Sequence, residues 1–249
     1  MTVCLGWTFR SFGSAARQSS SVLPASEFQN TLAARLGVPG RRLIWLDQIH
    51  GNRVAVISAP PAAAFLPRTD GCVTLSHGMA ICVRTADCLP ILLFDDRSTG
   101  VAALHAGWRG LLAGIVETGV TSFRRDADVP PGRLRALIGP GIEMACYEVG
   151  VEIRESLRDQ FGGAVRQFFT ARAGRLFLSL RRLAVWQLRR AGIPPANIHV
   201  SRLCTACMSD RLFSFRARND HERMTTFILK SSETEKKGRQ QRWRTLFLG

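Results

Sequence analysis

His50, Cys88 and His105 are the side chains of this sequence whose types suit a bound metal ion. Each stands at the junction between an apolar segment and a turn, where a rigid strand can hold a reactive group beside a cleft. Zinc in catalytic sites takes three protein ligands from nitrogen, sulfur or oxygen donors and keeps a fourth position open. Two imidazoles and one thiolate are therefore a candidate zinc site, but the long gaps between them leave three separately satisfied buried side chains as the alternative.

A C-x-x-C motif and a Gly-Pro-Gly segment offer further chemistry. Cys204 and Cys207 have the spacing of a redox pair or of half a structural zinc site, but no second C-x-x-C completes four ligands. Two buried thiols are the alternative for this motif. Residues 139–141 can present backbone N–H groups to an anion, or they can form a tight turn.

Two apolar segments must position Cys88 and His105. Residues 89–94 and 101–104 are short enough for buried strands, and the polar residues 95–100 between them predict a turn. If the two strands pair antiparallel, Cys88 and His105 return to the same end of the sheet. We therefore predict a hairpin that brings the two residues together.

The remaining pattern predicts an α+β fold of mixed sheets with flanking helices, because strands come in adjacent pairs more often than they alternate with helices. Ser179 is a predicted N-cap, His199 a predicted core residue, and His77 and His221 are predicted at the surface. The predicted helices are residues 27–36, 111–123, 149–161 and 180–190. The other predicted strands are residues 43–49, 53–57, 72–75, 80–83, 134–138, 198–203, 212–215 and 224–229.

Composition indicates one domain in the cytoplasm. Residues 1–230 are expected to form a single catalytic domain, and residues 231–249 a basic tail outside the core. We expect the first 26 residues to be a partly ordered N-terminus. Because they lack acidic side chains, an organellar transit peptide is the alternative. Seven cysteines without a secretory signal suggest reduced thiols, and no apolar run approaches the roughly 18 residues of a membrane span.

The net charge of +15 comes almost wholly from arginine. The arginines punctuate the predicted helices, as on solvated helix faces, instead of forming a stripe with interleaved aromatic residues. This distribution favours attraction of small anions over binding of nucleic acid. We expect a monomer with small-molecule substrates and no membrane partner.

Short motifs in a fixed order add a family resemblance. The sequence contains QIHGN (48–52), TADCLP (85–90), HAGWRG (105–110), IGP (138–140), YEVG (147–150), CT (204–205) and FSFR (213–216). Together they resemble the multicopper polyphenol oxidase, or laccase-domain, family, whose members are described as purine nucleoside phosphorylases. The resemblance covers about residues 42–230 and implies a single laccase-domain-like α+β fold.

The resemblance also implies a metal and an activity. By position it assigns one zinc ion to His50, Cys88 and His105. It implies phosphorolysis of adenosine, inosine and methylthioadenosine, with adenosine deamination as a second activity. A copper-dependent polyphenol oxidase and an enzyme that edits peptidoglycan precursors are alternatives found among the family's members.

Candidate roles follow for the residues around this site. Arg53, Arg109 and Arg216 are the predicted phosphate-binding residues, because a guanidinium group binds phosphate through two hydrogen bonds. Asp87 is either a proton carrier or an orienter of a metal ligand, with a turn cap as the alternative. Asp87, Cys88 and His105 are thus the predicted catalytic residues.

Two further alternatives stay open on the sequence. In a cysteine hydrolase, Cys88 would be the nucleophile and a histidine its base, although a metal on the same sulfur would block this chemistry. In a vestigial, non-enzymatic binding protein, the unusual N-terminus and tail would accompany an inactive site. Copper remains the alternative to zinc, since two imidazoles and a thiolate also suit it.

Overall fold

Two six-stranded sheets form the centre of the structure, a computed structural model that describes residues 2–15, 23–63, 65–231 and 243–248. The strands β1 to β15 are Thr2–Thr8, Leu43–Leu46, Val54–Ile57, Phe65–Leu66, Gly71–Thr74, Ala80–Thr85, Leu89–Asp95, Val101–Ala106, Leu134–Ile138, Glu148–Val149, Phe169–Arg172, Arg175–Leu178, Ile198–Val200, Met224–Ser231 and Trp243–Leu248. The helices α1 to α6 are Ser26–Leu36, Trp108–Leu112, Ile115–Ala127, Val151–Phe161, Leu180–Arg190 and Phe215–Arg218. The α+β expectation is confirmed.

The two sheets pack against each other with helices on their outer faces. The first sheet has the order β15-β1-β14-β6-β2-β4, and the second has the order β13-β9-β7-β8-β5-β3. A three-stranded sheet, β10-β12-β11, shares no strand pairing with either and packs through Leu178 on the helix-covered core of the second sheet. Helix α1 covers the outer face of the first sheet, while α3 and α5 cover the outer face of the second.

Strand β7 shows why the central segment is apolar throughout. Successive side chains of a strand point to opposite faces. Leu92 and Phe94 therefore enter the core between the sheets, whereas Ile91 and Leu93 enter the core beneath the helices. A strand buried on both faces has no polar alternation, which explains the continuous apolar run that predicts it.

The predicted hairpin is confirmed. β7 pairs antiparallel with β8, with Leu89 opposite Ala106 and Pro90 opposite His105. Cys88, the residue before β7, therefore lies beside the end of β8. The turn between the strands is held by Asp95, whose carboxylate accepts three backbone N–H groups of residues 97–100. The predicted N-cap is also confirmed, since the Ser179 hydroxyl accepts the N–H of the third helical residue.

Three local predictions are wrong. The predicted helix 111–123 is two helices, α2 and α3, because Gly114 adopts a left-handed conformation with φ +84° between them. Residues 212–215 form no strand; α6 begins at Phe215, capped by the Ser214 hydroxyl. His199 lies on β13, an edge strand, and is exposed instead of packed in the core.

Both chain ends add strands to the first sheet. β1, which the sequence analysis does not predict, lies between β14 and β15, and Val3 and Leu5 are buried in the core. Residues 243–248 differ from the expected tail, because β15 pairs in parallel with β1. The sequence analysis does not predict this strand, because its short apolar segment follows a long run of charged residues. Within the described ranges, no helix is both long and apolar enough to cross a membrane.

Candidate metal centre and binding cavity

His50, Cys88 and His105 converge at one end of the second sheet. Cys88 directly precedes β7, His105 lies near the end of β8, and His50 lies in the loop after β2. Their ligating atoms all lie within 4.8 Å of one another, and the two imidazole centroids are 4.8 Å apart. The fold thus assembles one cluster from three side chains that are distant in the sequence.

Asp70 holds both histidines of this cluster in position. Its Oδ1 accepts a hydrogen bond from Nδ1 of His105 at 2.8 Å, and both side chains are buried. With Nδ1 occupied, the other ring nitrogen, Nε2, is the one left to act as a ligand. The same carboxylate accepts the N–H groups of residues 49–51 at 3.1, 2.9 and 2.8 Å. One carboxylate therefore orients His105 and clamps the loop of His50.

The charges in the cluster favour a thiolate. Burial opposes ionisation of Cys88, but the charge and hydrogen bonds of His105 and His50 outweigh it and lower the pKa of Cys88 to about 6. Burial also opposes the charged form of His105, but Cys88 and Asp70 outweigh it and raise its pKa to about 9. Cys88 is therefore ionised at neutral pH, in the form that binds metal ions.

Gly107 makes the close approach of the ligands possible. A Cβ atom at this position would lie 2.8 Å from Sγ of Cys88 and 3.3 Å from Cδ2 of His50. Any larger residue would therefore have to displace two members of the cluster. This is a requirement for space, not for an unusual backbone conformation, since Gly107 has an extended φ of −79°.

The donor set fits a zinc ion. Imidazole nitrogen and thiolate sulfur are both ligands of catalytic zinc sites, which take three protein ligands, and a carboxylate behind a ligating histidine is a recurrent accompaniment. Asp70 supplies that carboxylate for His105. A metal held here would keep one coordination position, which would face the cavity lined by all three donor residues.

A cavity of about 560 Å³ opens beside the three donors. Its wall combines guanidinium groups with aromatic rings, from Arg84, Arg109, Arg216, Arg223, Trp108, Tyr147 and Phe215. Guanidinium groups bind phosphate through two hydrogen bonds, and aromatic faces stack against planar bases. The cavity therefore suits an anion and an aromatic ring close to a metal.

Asp87 lies next to Cys88 and is fully engaged by protein groups. Its carboxylate accepts hydrogen bonds from the hydroxyls of Thr205 and Ser214, at 2.6 and 2.7 Å, and from the N–H of Arg216 at 2.7 Å. Its φ of +93° is unusual for a residue with a side chain and costs on the order of 1–3 kcal/mol. These contacts fix the backbone beside Cys88 and cap α6, so they favour positioning over proton transfer.

The structure places two of the three candidate arginines at the cavity. Arg109 lines it, with its guanidinium carbon 4.5 Å from the centroid of Trp108. Arg216 also lines it and donates to the carbonyl of Glu148 at 2.6 Å. Arg53 does not line it; its guanidinium lies at the surface and donates to the carbonyl of residue 67.

Several residues of the site were missed by sequence reasoning. Asp70 is absent from the predicted site, because nothing in its local sequence signals a histidine partner. Arg84 and Arg223 line the cavity, although each lies in or beside a strand that is apolar on average. His221, predicted at the surface, is exposed but also lines the cavity, with its ring centroid 6.3 Å from that of Phe215.

The Gly-Pro-Gly segment does not form an anion site. The N–H of Gly139 donates to Pro90 and that of Gly141 to Leu203, so neither is available to a ligand. A Cβ at Gly139 or Gly141 would meet side chains of β7 at 2.8 or 2.5 Å, respectively. The segment is a close-packing turn behind the metal cluster.

Comparisons with known proteins agree with this geometry. A family model described as multi-copper polyphenol oxidoreductase laccase matches residues 17–231. The purine nucleoside phosphorylase of Xylella fastidiosa (strain Temecula1) is 33% identical over 201 residues, which are 80% of this chain and 75% of that protein. The purine nucleoside phosphorylase PA4543 of Pseudomonas aeruginosa is 36% identical over 185 residues, 74% and 72% of the two chains.

A solved structure shows a similar fold. The crystal structure of the hypothetical protein YfiH of Bacillus licheniformis has a TM-score of 0.76 and 29% sequence identity, and the match covers 82% of this chain and 79% of that one. The stretch matched by the family model includes all three donor residues and the whole cavity wall.

Proposed function

Because the chain belongs to the multi-copper polyphenol oxidoreductase laccase family, we propose that it is a zinc-dependent purine nucleoside phosphorylase. Its substrates would be adenosine, inosine and methylthioadenosine together with phosphate, and adenosine deamination would be a second activity. The observation that carries the proposal is the His50–Cys88–His105 cluster at the wall of an arginine- and aromatic-lined cavity. The names of the relatives, purine nucleoside phosphorylases, support purine nucleosides and phosphate as the substrate class.

Different residues of the cavity are assigned to the metal, the phosphate and the purine. A zinc ion held by the three donors supplies Lewis-acid polarisation of a bound oxygen. Arg109 and Arg216 are placed to bind phosphate, since both guanidinium groups reach the same cavity. Tyr147 and Phe215 offer aromatic surface for the purine. Holding phosphate and nucleoside in a fixed relative orientation accelerates the reaction between them.

Asp87 acts through Arg216 in this scheme. It accepts the backbone N–H of Arg216 and so sets where α6 begins and where that guanidinium points. Asp70 acts in the same way on His105, through Nδ1. We therefore assign both carboxylates to positioning, and leave binding of substrate to the arginines and rings.

The test is the phosphate dependence of nucleoside cleavage. The purified protein should release hypoxanthine from inosine only when phosphate is supplied. Arg109→Ala should raise the KM for phosphate about 10- to 100-fold, because a hydrogen bond to a charged group contributes about 1.5–3 kcal/mol. Arg53→Ala is the matched control, since its guanidinium lies outside the cavity, and its KM should stay at the wild-type value. Base release without phosphate would contradict the proposal.

A copper-dependent polyphenol oxidase is the second candidate, favoured by the description of the family. Imidazole and thiolate also bind copper, but electron-transfer copper sites add a weak axial methionine, and the described lining of the cavity contains none. Oxygen uptake with a phenol, dependent on added copper and without release of a purine base, would favour this candidate.

The proposal includes the setting of the enzyme. We propose a single catalytic domain over residues 1–230, to which residues 243–248 add an edge strand. We further propose a cytoplasmic monomer that does not bind nucleic acid. The cysteines, all of which are free thiols in the structure, are consistent with a reducing compartment.

A further inference from the structure

A second cluster of thiols lies outside the centre described above. Cys146 closes the short turn Met144–Cys146, and Cys204 and Cys207 lie in the turn that follows β13. The Sγ atoms of Cys146 and Cys207 are 3.4 Å apart, those of Cys146 and Cys204 are 4.0 Å apart, and all three lie within 4.8 Å of one another. The third thiol that the C-x-x-C motif lacks therefore comes from a distant segment.

We propose that Cys146, Cys204 and Cys207 bind one zinc ion as a second, structural metal site. A tetrahedral zinc with zinc–sulfur distances of about 2.3 Å separates its sulfur ligands by about 3.8 Å. The observed separations of 3.4 and 4.0 Å lie on either side of that value. The fourth position would be taken by water or another small ligand, because Cys207 is exposed.

Backbone donors hold Cys204 in the cluster. Its Sγ accepts the backbone N–H groups of Cys207 and Glu143, each at 3.4 Å. These two hydrogen bonds fix the sulfur atom 4.0 Å from Sγ of Cys146. The buried guanidinium of Arg181 interacts electrostatically with Cys204 and forms an ion pair with Glu143.

Arg181 also bears on the charge of the proposed site. Three thiolates and one divalent cation carry a net charge of −1, and Arg181, which also pairs with Glu143, places one positive charge beside them. The group is held in place because it donates to the carbonyls of Gly141 and Leu203, at 3.1 and 2.6 Å. Its Nε is buried and has no hydrogen-bond partner among the described residues.

A metal explains this cluster better than a disulfide does. A disulfide would join two sulfur atoms at about 2.05 Å and leave the third thiol without a role. One cation held between the three sulfur atoms, which all lie within 4.8 Å of one another, gives each of them the same role as a ligand.

The cluster lies directly behind the wall of the cavity. Tyr147, next to Cys146, lines the cavity, and Thr205, next to Cys204, donates its hydroxyl to Asp87. A zinc ion that ties the two segments together would therefore hold both contacts in position. Its loss should raise the KM for the nucleoside and lower the Tm, while the first centre keeps its metal.

The experiment measures how many zinc ions each chain binds. The reduced protein is dialysed, and its zinc content is then determined by elemental mass spectrometry. The wild type should bind two equivalents. Cys146→Ser and Cys207→Ser should each bind one, as should Cys88→Ala, and Cys88→Ala combined with Cys207→Ser should bind none. Cys4→Ser, at a half-buried position in β1, is the control that should keep two.

Cobalt gives an independent readout on the unmodified protein. Titration of the metal-free, reduced wild type with Co²⁺ should show two sulfur-ligated sites, one with three thiolates, by their charge-transfer absorption. The proposal fails if Cys207→Ser and Cys146→Ser both keep the zinc content of the wild type, or if Cys88→Ala binds no zinc. A Cys146–Cys207 disulfide that survives reductant would also overturn it. Zinc retained by Cys88→Ala would report on this cluster whether or not the protein cleaves nucleosides.

Discussion

Replacement of Asp70 by asparagine tests how the candidate metal centre is held together. Oδ1 of Asp70 accepts His105 and the N–H of His50, while Oδ2 accepts the N–H groups of Ile49 and Gly51. Asparagine has the same shape but only one acceptor atom. If its oxygen keeps His105 and His50, its NH₂ group must face the other two N–H donors.

The expected cost follows from those two lost bonds. Hydrogen bonds to a charged acceptor contribute about 1.5–3 kcal/mol each, so two of them amount to about 3–6 kcal/mol. No solvent screening reduces this figure, since the Asp70 side chain is fully buried. In a chain of this size the loss corresponds to a drop in Tm on the order of 10 °C. Loss of a carboxylate behind a ligating histidine also weakens metal affinity about 10- to 100-fold.

The pH dependence supplies a second readout. Burial opposes the ionised form of Asp70, but the His105 side chain and the backbone N–H groups of Gly51 and Ile49 outweigh it and hold its pKa below the ordinary value of 3.8. A lowered pKa stabilises the folded protein above pH 3.8 and loses that effect as pH falls through the folded-state value. The stability gap between wild type and Asp70→Asn should therefore be constant between pH 3.8 and 6.5 and shrink as pH falls below 3.8. It should shrink again as pH rises from 6.5 through about 9, where His105 loses the proton that Asp70 helps to hold.

The assay combines zinc affinity, from competition with a chromophoric chelator, with urea unfolding of the metal-free protein. Asp95→Asn is the matched control, because the Asp95 side chain is equally buried and accepts three backbone N–H groups in the turn at the other end of the β7–β8 hairpin. It should leave zinc affinity unchanged. Wild-type zinc affinity and wild-type stability in Asp70→Asn would refute the reasoning.

Three further outcomes are expected. Gly107→Ala should abolish zinc binding at the first centre, because its Cβ would lie 2.8 Å from Sγ of Cys88, whereas Gly132→Ala, with open space around it, should keep the metal. In metal-free protein, alkylation of Cys88 followed by mass spectrometry should reach half its maximal rate near pH 6, while the buried Cys72, whose pKa burial raises, stays unmodified. Deletion of residues 232–249 should lower the Tm and promote association, because it uncovers the edge of β1; an unchanged Tm would show that β15 adds nothing to stability.

Local pattern was enough for the elements that carry two of the three metal donors. The apolar runs of β7 and β8 are separated by a turn that leaves an antiparallel pairing as the simple arrangement, and that pairing alone brings Cys88 beside His105. The cap at Ser179 was predictable for a similar reason, since a hydroxyl there bonds within its own first helical turn. Periodicity and capping depend only on residues that are close in the sequence, so they can be predicted from the sequence alone.

Contacts between distant segments could not be obtained in this way. Asp70 belongs to an ordinary turn sequence, and only the packing of β5 against β8 brings its carboxylate to His105. Arg53 looked suitable because it follows the His50 motif, yet the start of β3 leaves its side chain at the surface, away from the cavity.

The sequence by itself determined the α+β class, the central hairpin and the three residues that form the candidate metal cluster, because residue type, local period and motif order are written in it. The tertiary structure alone decided which carboxylate supports the histidines, which arginines reach the cavity, and that Cys146 joins Cys204 and Cys207. Those outcomes depend on sheet order and on the burial of apolar faces. Sheet order and burial depend on many residues from distant parts of the chain, so no single segment of the sequence predicts them.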